Sequence, residues 1–182
     1  MKKISTYLLV ILTIISCQNQ KSQKEENIVV KMTPPRDSIA PKSEIIDSTD
    51  FAKKWLIQAI ETTFKTNEGD MKGICTPQYE AFKTDAIGVD MDGGMTPAEF
   101  KKKWSKKYNI ALAGASVGFM ISGQDWQNIK VSKCELQNKT TDGAYVFNCI
   151  IEDIGPNVKY KRDVTVIPNN KSFLISNVLE YN

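Results

Sequence analysis

The chain has no histidine among its 182 residues. That absence removes much of enzyme chemistry. A serine or cysteine nucleophile activated by imidazole, a zinc or haem held by imidazole nitrogen, and a switch titrating near neutrality all need the missing side chain. Catalysis here would have to rest on carboxylates, tyrosine, lysine, arginine or a thiol.

A charge excess is lacking as well. There are 24 Lys and Arg against 21 Asp and Glu. Lys2 and Lys3 stand in a start without acids, so the remainder is close to neutral with its signs interspersed. Nucleic-acid binding needs a basic face or stripe, and no such partner is expected. Long hydrophobic runs are missing too. The most apolar stretch, Ile4 to Ile15, holds about a dozen residues where a spanning helix needs about 20. Cysteine is scarce, with four residues, and Cys75 lacks the CxxC spacing of a redox pair. No cofactor is expected. Asp90-Met91-Asp92-Gly93-Gly94 alternates acids with glycine but fails the calcium-loop pattern, because Met95 stands where glycine is required and Lys101 where the bidentate Glu belongs. No metal is expected either.

What is present begins with a leader. Lys2 and Lys3 precede an apolar stretch broken only by Ser5, Thr6 and Thr13, the pattern of a secretory signal. It ends at Ile14-Ile15-Ser16-Cys17, which resembles the lipobox of bacterial lipoproteins: an apolar pair, a small residue before the cut, and the cysteine that takes the lipid. The resemblance implies cleavage after residue 16 and acyl chains on Cys17 that hold the protein at a membrane. Gln18 stands where inner-membrane retention signals carry Asp, which favours the outer membrane of the cell envelope; periplasmic or surface display stays open. Residues 17 to 49 are rich in Gln, Asn, Ser, Lys and Glu, with Pro34, Pro35 and Pro41. They read as a lipidated cysteine followed by a disordered tether.

From Ser48-Thr49-Asp50 the pattern becomes that of a folded domain, residues 50 to 182. Phe51, Trp55, Ile57, Ala59, Ile60 and Phe64 recur at helical spacing and predict a helix over 50–66. Met71 to Cys75 predicts a short helical turn. Thr76-Pro77 opens a second helix, to about Lys83. Thr96-Pro97-Ala98-Glu99 is a capping box followed by Phe100, Trp104 and Tyr108. Beyond the Gly114–Gly123 stretch the period falls to two, predicting strands over 127–136, 144–153, 158–167 and 173–181. Their connections, Thr141-Asp142-Gly143, Gly155-Pro156-Asn157 and Asn169-Asn170, are short turns. The expected fold is therefore α+β, with N-terminal helices on a curved four-stranded antiparallel meander.

Phe51-x-x-x-Trp55, Phe100-x-x-x-Trp104 and the terminal Phe173-Leu-Ile-Ser-Asn-Val-Leu-Glu-Tyr181 make the domain resemble the nuclear transport factor 2-like superfamily. The resemblance implies helices closing a cone against a concave sheet. Cystatin-like and other α+β layouts remain open, because no strand is evident between the early helices. The superfamily includes enzymes, binders and inactive modules, so fold does not fix function.

Four positions stand out in the strands. Arg162 interrupts the face Val158, Tyr160, Val164, Val166, and Asn177 interrupts Phe173, Ile175, Leu179, Tyr181. A two-residue turn at Asn169-Asn170 places Arg162 opposite Asn177, and Asn148 joins them in some registers of the preceding turn. Arg162, Asn177, Asn148 and Tyr160 are the candidate ligand-binding set, suited to a small acidic ligand through the guanidinium fork. An ion pair of Arg162 with Glu152 or Asp153 is the structural alternative. Cys134 and Cys149 flank the Thr141-Asp142 turn near its register and form the candidate disulfide. Trp126 could rim a pocket with Tyr79, Tyr108 and Tyr145, or all could be core. Lys101, Lys102, Lys103, Lys106 and Lys107 offer either a solvated helix face or a surface for anionic lipid.

The expected function is a membrane-anchored envelope lipoprotein whose non-catalytic domain binds a small ligand or an envelope protein. Two alternatives stay open: an enzyme using Asp125 or Glu152 as general base beside Tyr160, and an interaction module whose cone is filled.

Overall fold

Two threonines set where helices begin. Thr76 accepts a hydrogen bond from the Tyr79 amide at 3.2 Å, with Pro77 at the first helical position. Thr96 does the same for Glu99, whose carboxylate accepts in turn from the Thr96 amide at 3.0 Å, closing the capping box. Each cap satisfies amides that a helix start leaves without partners. The computed structural model describes residues 48–66, 68–123 and 125–181. The leader, Cys17 and the tether through residue 47 lie outside the described residues.

Three α-helices, α1 (Ser48–Thr66), α2 (Pro77–Ile87) and α3 (Pro97–Trp104), precede a short 3₁₀ turn at Ile110–Leu112. Four strands follow: β1 (Ile129–Lys139), β2 (Tyr145–Asp153), β3 (Val158–Asn169) and β4 (Ser172–Tyr181). They pair antiparallel in the order β1-β2-β3-β4, and the helices pack on the sheet. The fold is α+β, as the periodicity predicts. Helix α2 continues one turn past Lys83, because Ala86 is buried and Asp85 accepts bonds from Trp104 Nε1 and Lys103 Nζ, both at 2.7 Å. Met71 to Cys75 makes a single turn, closed by Ile74 and Cys75 donating to Met71 O at 3.2 and 3.0 Å. It turns and bridges to β4, with Thr76 donating to Ile175 O and Ile175 donating to Ile74 O, both at 2.8 Å. That bridge covers part of an edge strand's free backbone.

The core forms where α1 lays Ala52, Leu56, Ile60 and Phe64 across one face of the sheet. Against them stand Tyr145, Phe147, Cys149 and Ile151 of β2, Val164 and Val166 of β3, and Phe173, Ile175 and Val178 of β4. Burial of each large side chain contributes about 1.5–3 kcal/mol. Among the described residues, every helix and strand contributes to this one core.

Register departs from the expected one in β4. The β3–β4 turn closes with Asn169 opposite Ser172, not with Asn169-Asn170 at its centre, and Ser176 bulges between the pairs Thr165↔Asn177 and Val166↔Ile175. A single inserted residue reverses which side chains face the core. Beyond Ser176 the inward positions are therefore Val178 and Glu180, both buried, in place of Asn177 and Leu179.

Candidate functional site

Arg162 faces inward as expected, but its partners are different. Across β3 and β4 it pairs with Glu180, while Asn177 pairs with Thr165. Across β2 and β3 it pairs with Cys149, which leaves Asn148 beside Asp163 on the opposite face. The expected cluster of Arg162, Asn177 and Asn148 is thus divided between the two sides of the sheet. On the outer side the Asn148 amide donates to Asp163 at 2.8 Å and the Tyr181 hydroxyl donates to the other oxygen at 2.7 Å. Only Tyr160 stays with Arg162, its ring centroid 5.4 Å from the guanidinium carbon, and its hydroxyl donates to Ser122 O at 3.4 Å.

The guanidinium has few donors left for a ligand. Nε donates to Met120 O at 2.7 Å, and Nη1 donates to Lys161 O and Tyr181 O, both at 2.8 Å. Nη2 stands 3.7 Å from Glu180 Oε2. Lys83 on α2 completes the group, with Nζ 2.7 Å from Glu180 Oε1 and donating to Ala113 O at 2.8 Å and Gly114 O at 3.0 Å. All three side chains are buried. Burial lowers the Lys83 ammonium and the Arg162 guanidinium from their ordinary values, and it raises the Glu180 carboxyl; the opposite charges act against each shift. Tyr79 lies in the same interior, its buried hydroxyl unpartnered among the described residues, and burial followed by Glu180 pushes its phenol well up. This is a closed ionic core, not a mouth for an acidic ligand. Lys83 and Glu180 were not among the expected site residues. The Ser176 bulge hid Glu180, and Lys83 looks like an ordinary surface lysine in α2.

The open site lies elsewhere, where α1, the end of α2, the irregular segment 113–123 and Trp126 meet. A cleft of about 730 Å³ is lined by Phe64, Met71, Ile87, Phe119, Ile121 and Trp126, with Glu68 and Asp70 also on its lining. The Trp126 indole donates to Phe64 O at 3.1 Å and meets the Phe64 ring edge-on at 5.3 Å. Phe64 stacks on Phe119 at 6.4 Å. Gly69 sits under this pair at φ 78°, and a Cβ there would come within 3.3 Å of Phe64 and 3.5 Å of Trp126. A polar cleft of about 450 Å³, lined in part by Glu61, Lys65, Gln127 and Lys130, shares Phe64. Trp126 therefore rims a pocket, as one sequence reading has it, but Tyr79 and Tyr145 are buried in the core and Tyr108 is packed against it. The missed signal is Phe119-Met120-Ile121, a compact apolar triplet inside a Gly- and Ser-rich stretch.

Other expected residues find definite surroundings. Cys134 and Cys149 are direct cross-strand partners, and their thiols are unbonded, with Cys149 Sγ donating to Cys134 Sγ at 3.7 Å. That bond raises Cys149 and lowers Cys134. Glu152 faces outward, and its carboxyl is held below the ordinary range by the Ser132 hydroxyl at 2.6 Å, then by Lys159 at 2.9 Å. A general base needs the opposite shift. Arg162 pairs with neither Glu152 nor Asp153; Asp153 instead accepts the amides of Gln127 and Asn128. Asp90 and Asp92 belong to a loop that closes on itself through Asp90 N to Met95 O at 3.1 Å and Gly94 N to Met91 O at 2.9 Å. Among the described residues no three Cys, Asp or Glu side chains are grouped to hold a metal. The α3 lysines are exposed, with Lys103 paired to Asp85 and lying over the Trp104 ring.

No protein-family model matches the chain, and no curated protein or solved structure matches it at a significant level.

Proposed function

We propose that this protein is an envelope lipoprotein, anchored to the outer membrane through Cys17, whose domain binds an apolar ligand non-catalytically in the Trp126 cleft. We further propose that the domain is of the nuclear transport factor 2-like kind, with helices preceding a meander sheet and closing over its inner face. The observation that carries the reading is the cleft of about 730 Å³ walled by Phe64, Met71, Phe119, Ile121 and Trp126. Small-molecule sites are concave, mostly apolar and of roughly 300–1,000 Å³. The commitment of Arg162 to Met120, Lys161, Tyr181 and Glu180 argues against the acidic ligand that its sequence position suggests.

Titration of the purified protein with N-phenyl-1-naphthylamine, a neutral apolar dye, tests it. Dye fluorescence should rise on binding, and Trp126→Ala should weaken the affinity about tenfold, the equivalent of about 1.4 kcal/mol. Equal affinity of wild type and variant would remove the cleft as the site.

One observation favours a second reading, an interaction module for an envelope protein. Val146, Ile150, Ile167, Leu174 and Leu179 lie on the outer face of the sheet, partly exposed and outside the core cluster. Cross-linking from this face in intact cells separates the two readings.

A further inference from the structure

The cleft wall is built from chain that has little regular structure to hold it. Between Ala113 and Gly123, Gly114 (φ 58°), Ser116 (φ 58°), Met120 (φ 60°) and Gly123 (φ 83°) are all left-handed. For Ser116 and Met120, which carry a Cβ, that conformation is unfavourable and persists only where the surroundings over-determine it. Met120 is also fully buried, so its peptide groups need partners inside the protein.

Those partners come from the buried ions. Arg162 Nε donates to Met120 O at 2.7 Å, and the same guanidinium stands 3.7 Å from the Glu180 carboxylate. Lys83 takes Ala113 O at 2.8 Å and Gly114 O at 3.0 Å, and Ser116 is tied to α2 and its end through Ala86 O and Val89 O. The residues flanking Met120 are Phe119 and Ile121, and both line the cleft. A buried ion pair is weak evidence of added stability, because desolvation offsets most of the attraction. A role in fixing one conformation explains its presence better.

We propose that Arg162, Glu180 and Lys83 are positioning residues for the cleft: the ion group clamps the 113–121 segment so that Phe119 and Ile121 stand as the wall facing Trp126. The inference rests on the reading of that cleft as the binding site. The clamp crosses three elements, α2 through Lys83, β3 through Arg162 and β4 through Glu180, so the wall is set by the same side chains that hold the helix layer to the sheet.

The test compares wild type, Glu180→Gln and Trp126→Ala as purified proteins, at a temperature where circular dichroism shows each to be folded. Amide hydrogen exchange of residues 118–121 and affinity for N-phenyl-1-naphthylamine are read together. Glu180→Gln should speed exchange in that segment about tenfold or more beyond the increase that its lowered global stability brings to β2, the mark of a local opening added to the global one. Its dye affinity should fall about tenfold, as for Trp126→Ala. A folded Glu180→Gln protein with lower melting temperature but unchanged exchange at 118–121 and unchanged dye affinity would overturn the clamp. Should that variant not fold, Arg162→Lys, which keeps the charge and loses the Nε bond, carries the same comparison. If wild type and Trp126→Ala bind the dye equally, the cleft reading fails by itself, and the exchange comparison still decides whether the ions hold the segment.

Discussion

Arg162 and Glu180 stand opposite each other across β3 and β4, with the Arg162 guanidinium holding Met120 O and the Glu180 carboxylate paired to both Arg162 and Lys83. The relationship depends on one bulged residue, Ser176. Breaking it should be expensive. Glu180→Gln leaves Lys83 and Arg162 as two buried cations with no counter-charge, and loss of one partner from a buried pair costs about 3–5 kcal/mol. Urea denaturation of wild type and variant gives the difference directly, and a change below about 1 kcal/mol would mean that water reaches the group.

Gly114 should be irreplaceable for a reason separate from its backbone. It and Gly143 are both left-handed, but a Cβ on Gly114 would lie 2.2 Å from Glu180 Oε2 and 2.8 Å from Lys83 Nζ, while one on Gly143 meets nothing within 4 Å. Gly143→Ala should cost about 1 kcal/mol from conformation alone. Gly114→Ala should cost about 3 kcal/mol or more, because the ion pair must open to admit the methyl. Paired denaturation curves check the ordering.

Much of the fold was legible in the sequence. Thr76-Pro77 and Thr96-Pro97 announced two helices because capping is local chemistry, and the alternation in β2 and β3 showed which residues face inward. Arg162 was legible as an intruder in an apolar row. Its partner was not, because strict alternation through β4 places Glu180 outside, and a bulge leaves no mark in a composition of Ser and Asn. The cleft was half legible: Trp126 marks its rim, but Phe119, Ile121 and Met71 reach it only through tertiary packing.

Cys134 and Cys149 are cross-strand partners with sulfurs 3.7 Å apart. In an oxidising envelope they should close a disulfide across the β1–β2 hairpin. Thiol titration in denaturant should then find only Cys75 in protein taken from the envelope, and Cys75, Cys134 and Cys149 after reduction. Replacing the pair by alanine should cost about 3 kcal/mol, the value for a loop of roughly this length. Three titratable thiols without reduction would contradict the pairing.

Alkaline titration should divide the tyrosines. The folded phenols of Tyr79 and Tyr108 are raised by burial, and that of Tyr181 by its bond to Asp163. A group whose folded value is raised contributes stability that is complete below its unfolded value, near 10 for tyrosine, and lost as the pH rises through the folded one. Absorbance near 295 nm should show the Tyr79 phenol ionising only as the protein unfolds. Tyr181→Phe should reduce the alkaline loss of stability.

Cys17 should carry the lipid. Mass spectrometry of the membrane-extracted protein should find a chain beginning at Cys17 with acyl chains attached, and Cys17→Ser should abolish both the cleavage and the modification. A soluble chain cut elsewhere would contradict the anchor.

The most direct test of the central claim is a crystal structure of the protein released from its own membranes, inspected for residual density. The account predicts density against Trp126, Phe119 and Phe64, with the Arg162 guanidinium still bound to Met120, Lys161 and Tyr181. An anion seated on Arg162, or a cleft filled only by water, would contradict it.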